Sequence, residues 1–520
     1  MHLLSKSKVM AFRQCPKRLW LSTHRAELSE ESAGAQDRFR VGFEVGEIAR
    51  RLYDPEGSGA VLDPQNEGYD AAFERTQALL RGEQPIFEGG FRAEGALAFA
   101  DVLLPVKARR RRSWQMVEVK SSASLKDYHR DDVAIQSFIV HSSGLALSRI
   151  AVAHIDSQWT YPGDGNYHGL LAEHDLTDEA RARQREVSGW IDDAQSVARR
   201  RKEPDIRTGP HCTQPFSCPF HSYCRGQEPQ AKQPLDWLPS VRTKALKAYL
   251  KDHPAGELRD VPDELLNDLQ KRVKAVTLSG QRYLDRAGAA RALRPHRLPA
   301  YFMDFETIQF AVPIWKGTRP YQQIPFQFSV HRLGGRGALT HEQFLDLSGE
   351  DPSKRFAEAL IHTCAELGPI FVYNAAFEKA RLAELAQRFP RLRRALTAMS
   401  ERIVDLYPVA RDHFYHPSQR GSWSIKQVLP AACPELSYEA LEGVRDGTAA
   451  QEAFLEAVAT NTSSDRKAEL ERQLFEYCGL DTYAMVQLWK FLSGSLSVAD
   501  ANSEKKQITF IGPPRRDADT

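Results

Sequence analysis

Apolar positions along the chain change period several times, and each change marks an element. From Ser5 to Trp20 they recur at helical spacing, with an interruption expected at Cys15-Pro16, because proline lacks the amide a helix interior needs. Helical periodicity returns over Arg38–Leu52 and stops at the turn residues Asp54-Pro55-Glu56-Gly57. The pattern then becomes that of strands. Ala98–Val106 and Trp114–Lys120 are short β-rich runs on either side of a polar turn, which predicts a hairpin. Thr177–Lys202 is helical again and delivers the chain to a stretch dense in cysteine.

Residues 229–297 carry polar, helical patterns (Val241–Lys251, Pro262–Val276) with little strand signal, and read as a helical linker domain. Beyond Pro299 the period alternates. Strand-like Ala300–Phe305, Phe326–Val330 and Ile370–Tyr373 are interleaved with helical Ser353–Leu367, Phe377–Arg388 and Arg466–Phe491. Such alternation predicts an α/β sheet covered by helices. The expected organisation is a first domain over 1–228, the linker over 229–297, a second α/β domain over 298–492, and a polar, mobile tail over 493–520. No internal repeat or low-complexity tract interrupts it.

Composition narrows the class without naming a function. The 520 residues are 42% hydrophobic and 27% charged, values that supply sizeable cores and suit two or three domains. No run reaches the ~18 uncharged apolar residues of a membrane helix, and the N-terminus lacks the apolar core of a signal peptide. A cytoplasmic protein is expected. Net charge is only +2, but Lys107 and Arg109–Arg112 form one basic cluster and Arg199–Lys202 another. The first should sit on the exposed hairpin tip. A basic run alone is more often a solvated face than a nucleic-acid contact.

Candidate chemistry begins on the hairpin. Side chains alternate along a strand, so Glu118 and Lys120 share a face while Val117 and Val119 turn into a core. Antiparallel pairing can bring Asp101 onto that face. Two carboxylates and an ammonium are equipment for holding Mg²⁺ or Mn²⁺ against a phosphodiester, although an E-x-K string alone is common on surface strands. The run Ala98-Phe99-Ala100-Asp101, then Glu118-Val119-Lys120, then Gln136 resembles the RecB-like branch of the PD-(D/E)xK nucleases. That resemblance implies a restriction-endonuclease fold, with Asp101 and Glu118 as metal ligands, Lys120 as the catalytic lysine and Gln136 as the active-site glutamine. Ala98 stands where the family often has glycine. The family's histidine slot holds Gly46, which has no ligand to offer, so Glu44 or Glu47 becomes the substitute.

Of seven cysteines, Cys212, Cys218 and Cys224 crowd one Pro- and aromatic-rich stretch, and Cys15 lies far upstream. Four thiolates suit an iron–sulfur cluster or zinc. One cysteine before the nuclease core and three after it resembles the iron–sulfur RecB-like nucleases, which implies a 4Fe–4S cluster on Cys15, Cys212, Cys218 and Cys224 that staples the ends of the domain. His211 and His221 read as solvent-facing, and Cys364, Cys433 and Cys478 as buried small hydrophobes.

The second α/β block has its own acidic pattern. Asp304 and Glu306 lie at i, i+2 in an otherwise apolar strand, where burying unpaired carboxylates is costly without a cation. Glu378 follows a strand-to-helix junction, and Tyr477 and Asp481 lie four apart on one helical face. Together these resemble the DEDD exonucleases of the DnaQ-like, RNase H-like fold, in the subgroup ending in Y-x₃-D. By that match Asp304, Glu306 and Asp481 bind metal, Tyr477 orients the attacking water, and Glu378 fills a slot usually held by aspartate. Asp405 reads equally as a further acidic candidate or a helix cap, and Lys426 as a candidate phosphate contact. The two resemblances imply a metal-dependent nuclease acting on nucleic acid, DNA rather than RNA, at single-stranded ends or flaps, in prokaryotic repair or defence. An RNA-directed exonuclease, and a nucleic-acid-binding scaffold with inactive domains, are the alternatives.

Overall fold

A computed structural model describes residues 3–30, 33–106, 113–434, 436, 438 and 441–495. The arginine cluster expected at the hairpin tip, and most of the expected tail, lie outside them. The chain divides into two compact units, one of Met1–Gln230 with Phe310–Gln322, the other of Ala231–Gln309 with Gln323–Thr520. Both are mixed α/β, as the alternating periods predict.

The first unit is built on a seven-stranded sheet of β1 (Leu4–Ser5), β2 (Ala60–Val61), β3 (Ile86–Ala93), β4 (Ala96–Val106), β5 (Ser113–Lys120), β6 (Leu147–Ile155) and β7 (Leu171–Asp175). Its order is β2-β3-β4-β5-β6-β7, with β1 alongside β4. The expected hairpin is present: β4 and β5 are antiparallel, with Val102 opposite Val117. β5 and β6 are parallel, and the helix Asp127–Ser142 makes the crossover that parallel strands require. Helices cover both faces. Met116, Ile150 and Val152 pack with Val133, Ile139, Val187 and Ile191 on one side. Val102, Val117, Ala151 and Ala153 form a smaller core on the other, and Val45 and Ile48 of the helix Ala33–Tyr53 pack against Ile155.

The second unit holds a two-stranded ribbon, β8 (Tyr283–Leu284) with β14 (Phe414–Tyr415), and a five-stranded sheet. The sheet comprises β9 (Ala300–Ile308), β10 (Ile324–Leu333), β11 (Leu339–Leu345), β12 (Ile370–Val372) and β13 (Ile403–Asp405) in the order β11-β10-β9-β12-β13. β9, β10 and β11 pair antiparallel, while β12 and β13 run parallel to β9. Alternation along β9 sorts its residues. Tyr301, Met303 and Phe305 enter one core with Phe356 and Leu382. Phe302 enters the other with Met485 and Trp489 of the 30-residue helix Ser464–Ser493.

The segment read as a separate linker does not stand apart. Val273, Val276, Ala289 and Leu293 pack into the same core as Phe302, Phe371 and Trp489, while Leu235, Leu246 and Leu258 close a small cluster of their own. Polar composition hid this, because each of these helices buries only one stripe. Among the described residues no helix is long and apolar enough to cross a membrane.

Candidate functional site

Three groups of side chains named from the sequence come together within their units. In the first unit, β5 presents Glu118 and Lys120 on one face as alternation requires, and Lys120 Nζ lies 2.6 Å from Glu118 Oε1. Asp101 sits where the β4–β5 ladder ends, and its Oδ2 accepts the Val119 amide at 2.7 Å, taking a bond the ladder no longer supplies. Burial, then the negative charges of Glu118 and Glu88, hold the Asp101 carboxyl well above its usual range. Glu118 is only 2% exposed, and its Oε2 has no hydrogen-bond partner.

Three members of this site were not foreseen. Glu88 falls opposite Asp101, between the pairs Phe87↔Val102 and Gly89↔Ala100. Its φ of 57° is a conformation that non-glycine residues adopt at some cost. Burial followed by the charge of Glu118 raises its carboxyl. Asp132, on the helix Asp127–Ser142, bonds Lys120 Nζ through Oδ2. Lys6, in the first turn of the helix Lys6–Gln14, reaches 2.7 Å from Glu118 Oε1 and 3.3 Å from Asp132 Oδ1. Burial opposes the charge on Lys6 and Lys120, but Asp132 and Glu118 outweigh it, so both ammoniums are raised. The same two lysines overcome burial at Asp132 and lower its carboxyl. The acidic residue inside a strand was a legible signal for Glu88. Nothing local in sequence joins Lys6 to a site more than a hundred residues on.

The remaining candidates are distributed differently. Gln136 is fully buried, and its Nε2 donates to the Phe99 carbonyl at 2.6 Å while Oε1 is left without a partner. It thus braces β4 two residues before Asp101. Gly46 faces open space: a Cβ there would meet nothing within 4 Å. Glu47 pairs with Arg50 one turn on, and the carboxylate that acts on Asp101 after Glu118 is Glu88, not Glu44 or Glu47.

Cys15, Cys212, Cys218 and Cys224 line one cavity, together with Lys17, Arg18, His211 and His221. Of the two histidines, His221 is exposed, as expected, while His211 is half-buried; both border this cavity. Burial raises the Cys218 thiol and pushes Cys224 up to about 11, with the other thiols adding to it. The cavity joins the two ends of the unit. Gln14 Nε2 donates to the carbonyls of His211 and Phe216, each at 2.7 Å, Trp20 Nε1 donates to the Arg200 carbonyl, and Lys17 pairs with Glu203 at 2.7 Å.

In the second unit, Asp304 and Glu306 project from β9 toward the helix that carries Tyr477 and Asp481. Burial, then Asp481, Glu306 and Glu378, hold the Asp304 carboxyl well above its usual range. Burial and Asp481 push Glu306 up to about 8. Burial also pushes Asp481 up to about 6, against hydrogen bonds from Tyr438 and Tyr477 and the charge of Lys426. Tyr438 donates to Asp481 Oδ1 at 2.5 Å. Lys426 donates to the Arg445 carbonyl at 2.7 Å and lies over the Tyr477 and Tyr438 rings. Glu378, in the first turn of the helix Ala376–Arg388, is pushed up to about 8 by burial, and its Oε2 is buried without a partner.

Two sequence readings resolve here. Asp405 caps the helix Leu406–His413 by accepting the Tyr407 amide, and it also accepts the amides of Asn374 and Ala375 at 3.0 Å. It therefore pins the junction that aims Glu378. Cys478, read as a small apolar filler, is buried against the carboxylates: its sulfur and one oxygen each of Asp304 and Glu306 lie within 4.8 Å of one another. No pattern distinguishes a helical cysteine facing a core from one facing a strand carboxylate.

Residues 301–424, which include Asp304, Glu306, Glu378 and Asp405, match the family described as Domain of unknown function (DUF2779). The chain is also similar to two uncharacterized proteins, one of Mycoplasma pneumoniae (28% identical, over 37% of this chain) and one of Mycoplasma genitalium (24% identical, over 38%). It spans 32% of the length of each of these relatives.

Proposed function

We propose that the chain is a metal-dependent nuclease with two candidate phosphodiesterase sites, Asp101/Glu118/Lys120 and Asp304/Glu306/Glu378/Asp481. The observation that carries the reading is the second cluster: four carboxylates from one strand and two helices converge under burial, which raises every one of them, and repulsion from their neighbours adds to this at Asp304 and Glu306, so a cation would relieve the cluster. The donor set suits hard divalent ions, and the buried, unpartnered Glu378 Oε2 and Glu118 Oε2 are ready acceptors. Asp304, Glu306 and Asp481 would hold Mg²⁺ or Mn²⁺ in one unit, Asp101 and Glu118 in the other. The chemistry such ions supply is acidification of water and neutralisation of charge at a phosphate.

The chain's own groups do the rest. Tyr477, hydrogen-bonded to Asp481, keeps a hydroxyl beside the acidic cluster to orient a water. Lys120, ionised by its two carboxylate neighbours, offers a fixed positive charge to a phosphate oxygen. The sheets with their helix-covered faces fit the restriction-endonuclease-like and RNase H-like folds expected from the motifs. The four-thiol cavity fits a 4Fe–4S cluster closing the first unit: soft thiolates bind such centres, and the Cys218 and Cys224 thiols, raised by burial, would ionise on binding. DNA with single-stranded ends or flaps is the substrate we favour.

The test is anaerobic purification, iron and sulfide analysis, then Mn²⁺-dependent digestion of labelled single-stranded DNA and RNA. Cleavage of DNA lost on chelation supports the proposal, and preferential RNA cleavage reassigns the substrate. No Mn²⁺-dependent cleavage of either polymer overturns it. Zinc without iron would replace the cluster by a structural zinc.

A further inference from the structure

The motif resemblance assigns the first site one lysine, but Glu118 Oε1 lies between two. Lys120 Nζ approaches it at 2.6 Å and Lys6 Nζ at 2.7 Å. Asp132 bridges the same pair, meeting Lys120 through Oδ2 and Lys6 through Oδ1 at 3.3 Å. Two ammoniums and two carboxylates thus close a ring whose formal charges cancel, and Glu118 Oε2, Asp101 and Glu88 take no part in its ion pairs. Lys6 is held in this ring by the fold. It stands in the first turn of a helix capped by Ser5, whose side chain accepts the Lys8 amide, and Leu4 and Ser5 pair with Ala96 and Leu97 of β4. Gln14, at the other end, is bonded to the cysteine-bearing loop.

We propose that Lys6 is a positioning residue of the first site, holding Glu118 and Lys120 in working geometry through the shared Asp132 while tempering the negative field that draws in a divalent ion. The inference rests on reading Asp101, Glu118 and Lys120 as a phosphodiesterase site. It makes an unusual demand. Removing Lys6 must weaken catalysis, because Lys120 and Glu118 lose a common anchor. It must also strengthen metal binding, because an ammonium no longer opposes the cation at Glu118. A residue serving stability alone gives no such split.

The experiment uses the full-length chain carrying Asp304→Asn to silence the second site, with Lys6→Met, Lys6→Gln, Lys6→Arg and Lys120→Met added singly. Mn²⁺ affinity is measured by calorimetry and kcat on labelled single-stranded DNA. Lys6→Met and Lys6→Gln are expected to lower kcat by about tenfold or more while binding Mn²⁺ several-fold more tightly, and Lys6→Arg to recover most of both. Unchanged kcat, or lost kcat with unchanged or weaker Mn²⁺ binding, overturns the proposal. So does failure of both neutral variants to fold, which would assign Lys6 to stability. Lys120→Met separates the two levels. If it cleaves like its parent, the reading of the site fails; if it is inactive while Lys6→Met is unaffected, only the positioning role fails.

Discussion

The two acidic clusters solve the same electrostatic problem in opposite ways. In the first unit the carboxylates meet ammoniums: Glu118 and Asp132 are each bonded to Lys6 and Lys120, so much of the charge is compensated within the protein. In the second, Asp304, Glu306, Glu378 and Asp481 gather where Lys426 acts from across two tyrosine rings and donates to the Arg445 carbonyl. That cluster stays partly protonated at neutral pH unless a cation is supplied. On the proposed reading, the cluster with built-in cations is preorganised, whereas the one without them waits for a metal.

Substitutions that empty each cluster give the largest effects and break the comparison most directly. Asp304→Ala should abolish the cleavage contributed by the second unit, and Lys120→Ala that of the first, each by about a thousandfold, read on labelled single-stranded DNA. If one substitution alone removes all cleavage, the other unit is a binding module.

Linkage to pH gives the next effect. Glu306 and Glu378 sit near 8 in the folded protein against an ordinary 4.5, so the native state holds protons the unfolded chain has released. Stability of the metal-free protein should therefore fall as pH rises from about 5 to about 8. Mn²⁺ should raise the Tm more at the higher pH, and Glu378→Gln should flatten the trend. Asp132 has the opposite sign. Its lowered carboxyl contributes stability that is present at neutral pH and lost in acid below its unfolded range. Calorimetric melts across pH check both.

Asp405→Ala tests whether aim matters in the second cluster. It deletes three amide bonds, two at the Glu378 junction and one capping the helix Leu406–His413, for an expected loss of about 1–3 kcal/mol, measured by urea denaturation, with a drop in activity smaller than that of Asp304→Ala. The smallest effect belongs to Glu47→Ala. Its partner is Arg50 on the same helix, and cleavage should change by less than about threefold. A larger loss would restore Glu47 as the substitute for the missing histidine.

Much of this was legible in the chain. Period-two alternation put Glu118 with Lys120 and Asp304 with Glu306 on single faces, because a strand's pleat permits nothing else. The i, i+4 spacing of Tyr477 and Asp481 put both on one side of a helix for the same kind of reason. Lys6, Asp132 and Cys478 escaped because each joins its cluster through packing between elements distant in sequence, and no local period encodes that; Glu88, an acidic residue inside a strand, carried a signal that went unread. The linker was misjudged for a related reason: half-polar helices conceal which stripe another element will cover.

What the sequence determined by itself is therefore the set of elements, their inward and outward faces, and the acidic and thiol groups that need partners, since these follow from backbone geometry and the cost of burial. Only the tertiary structure decided which charges meet. It set Lys6 against Glu118 and, among the described residues, left Asp304 and its neighbours without an ammonium in contact, because electrostatic energy depends on distances of a few ångströms that chain order does not specify.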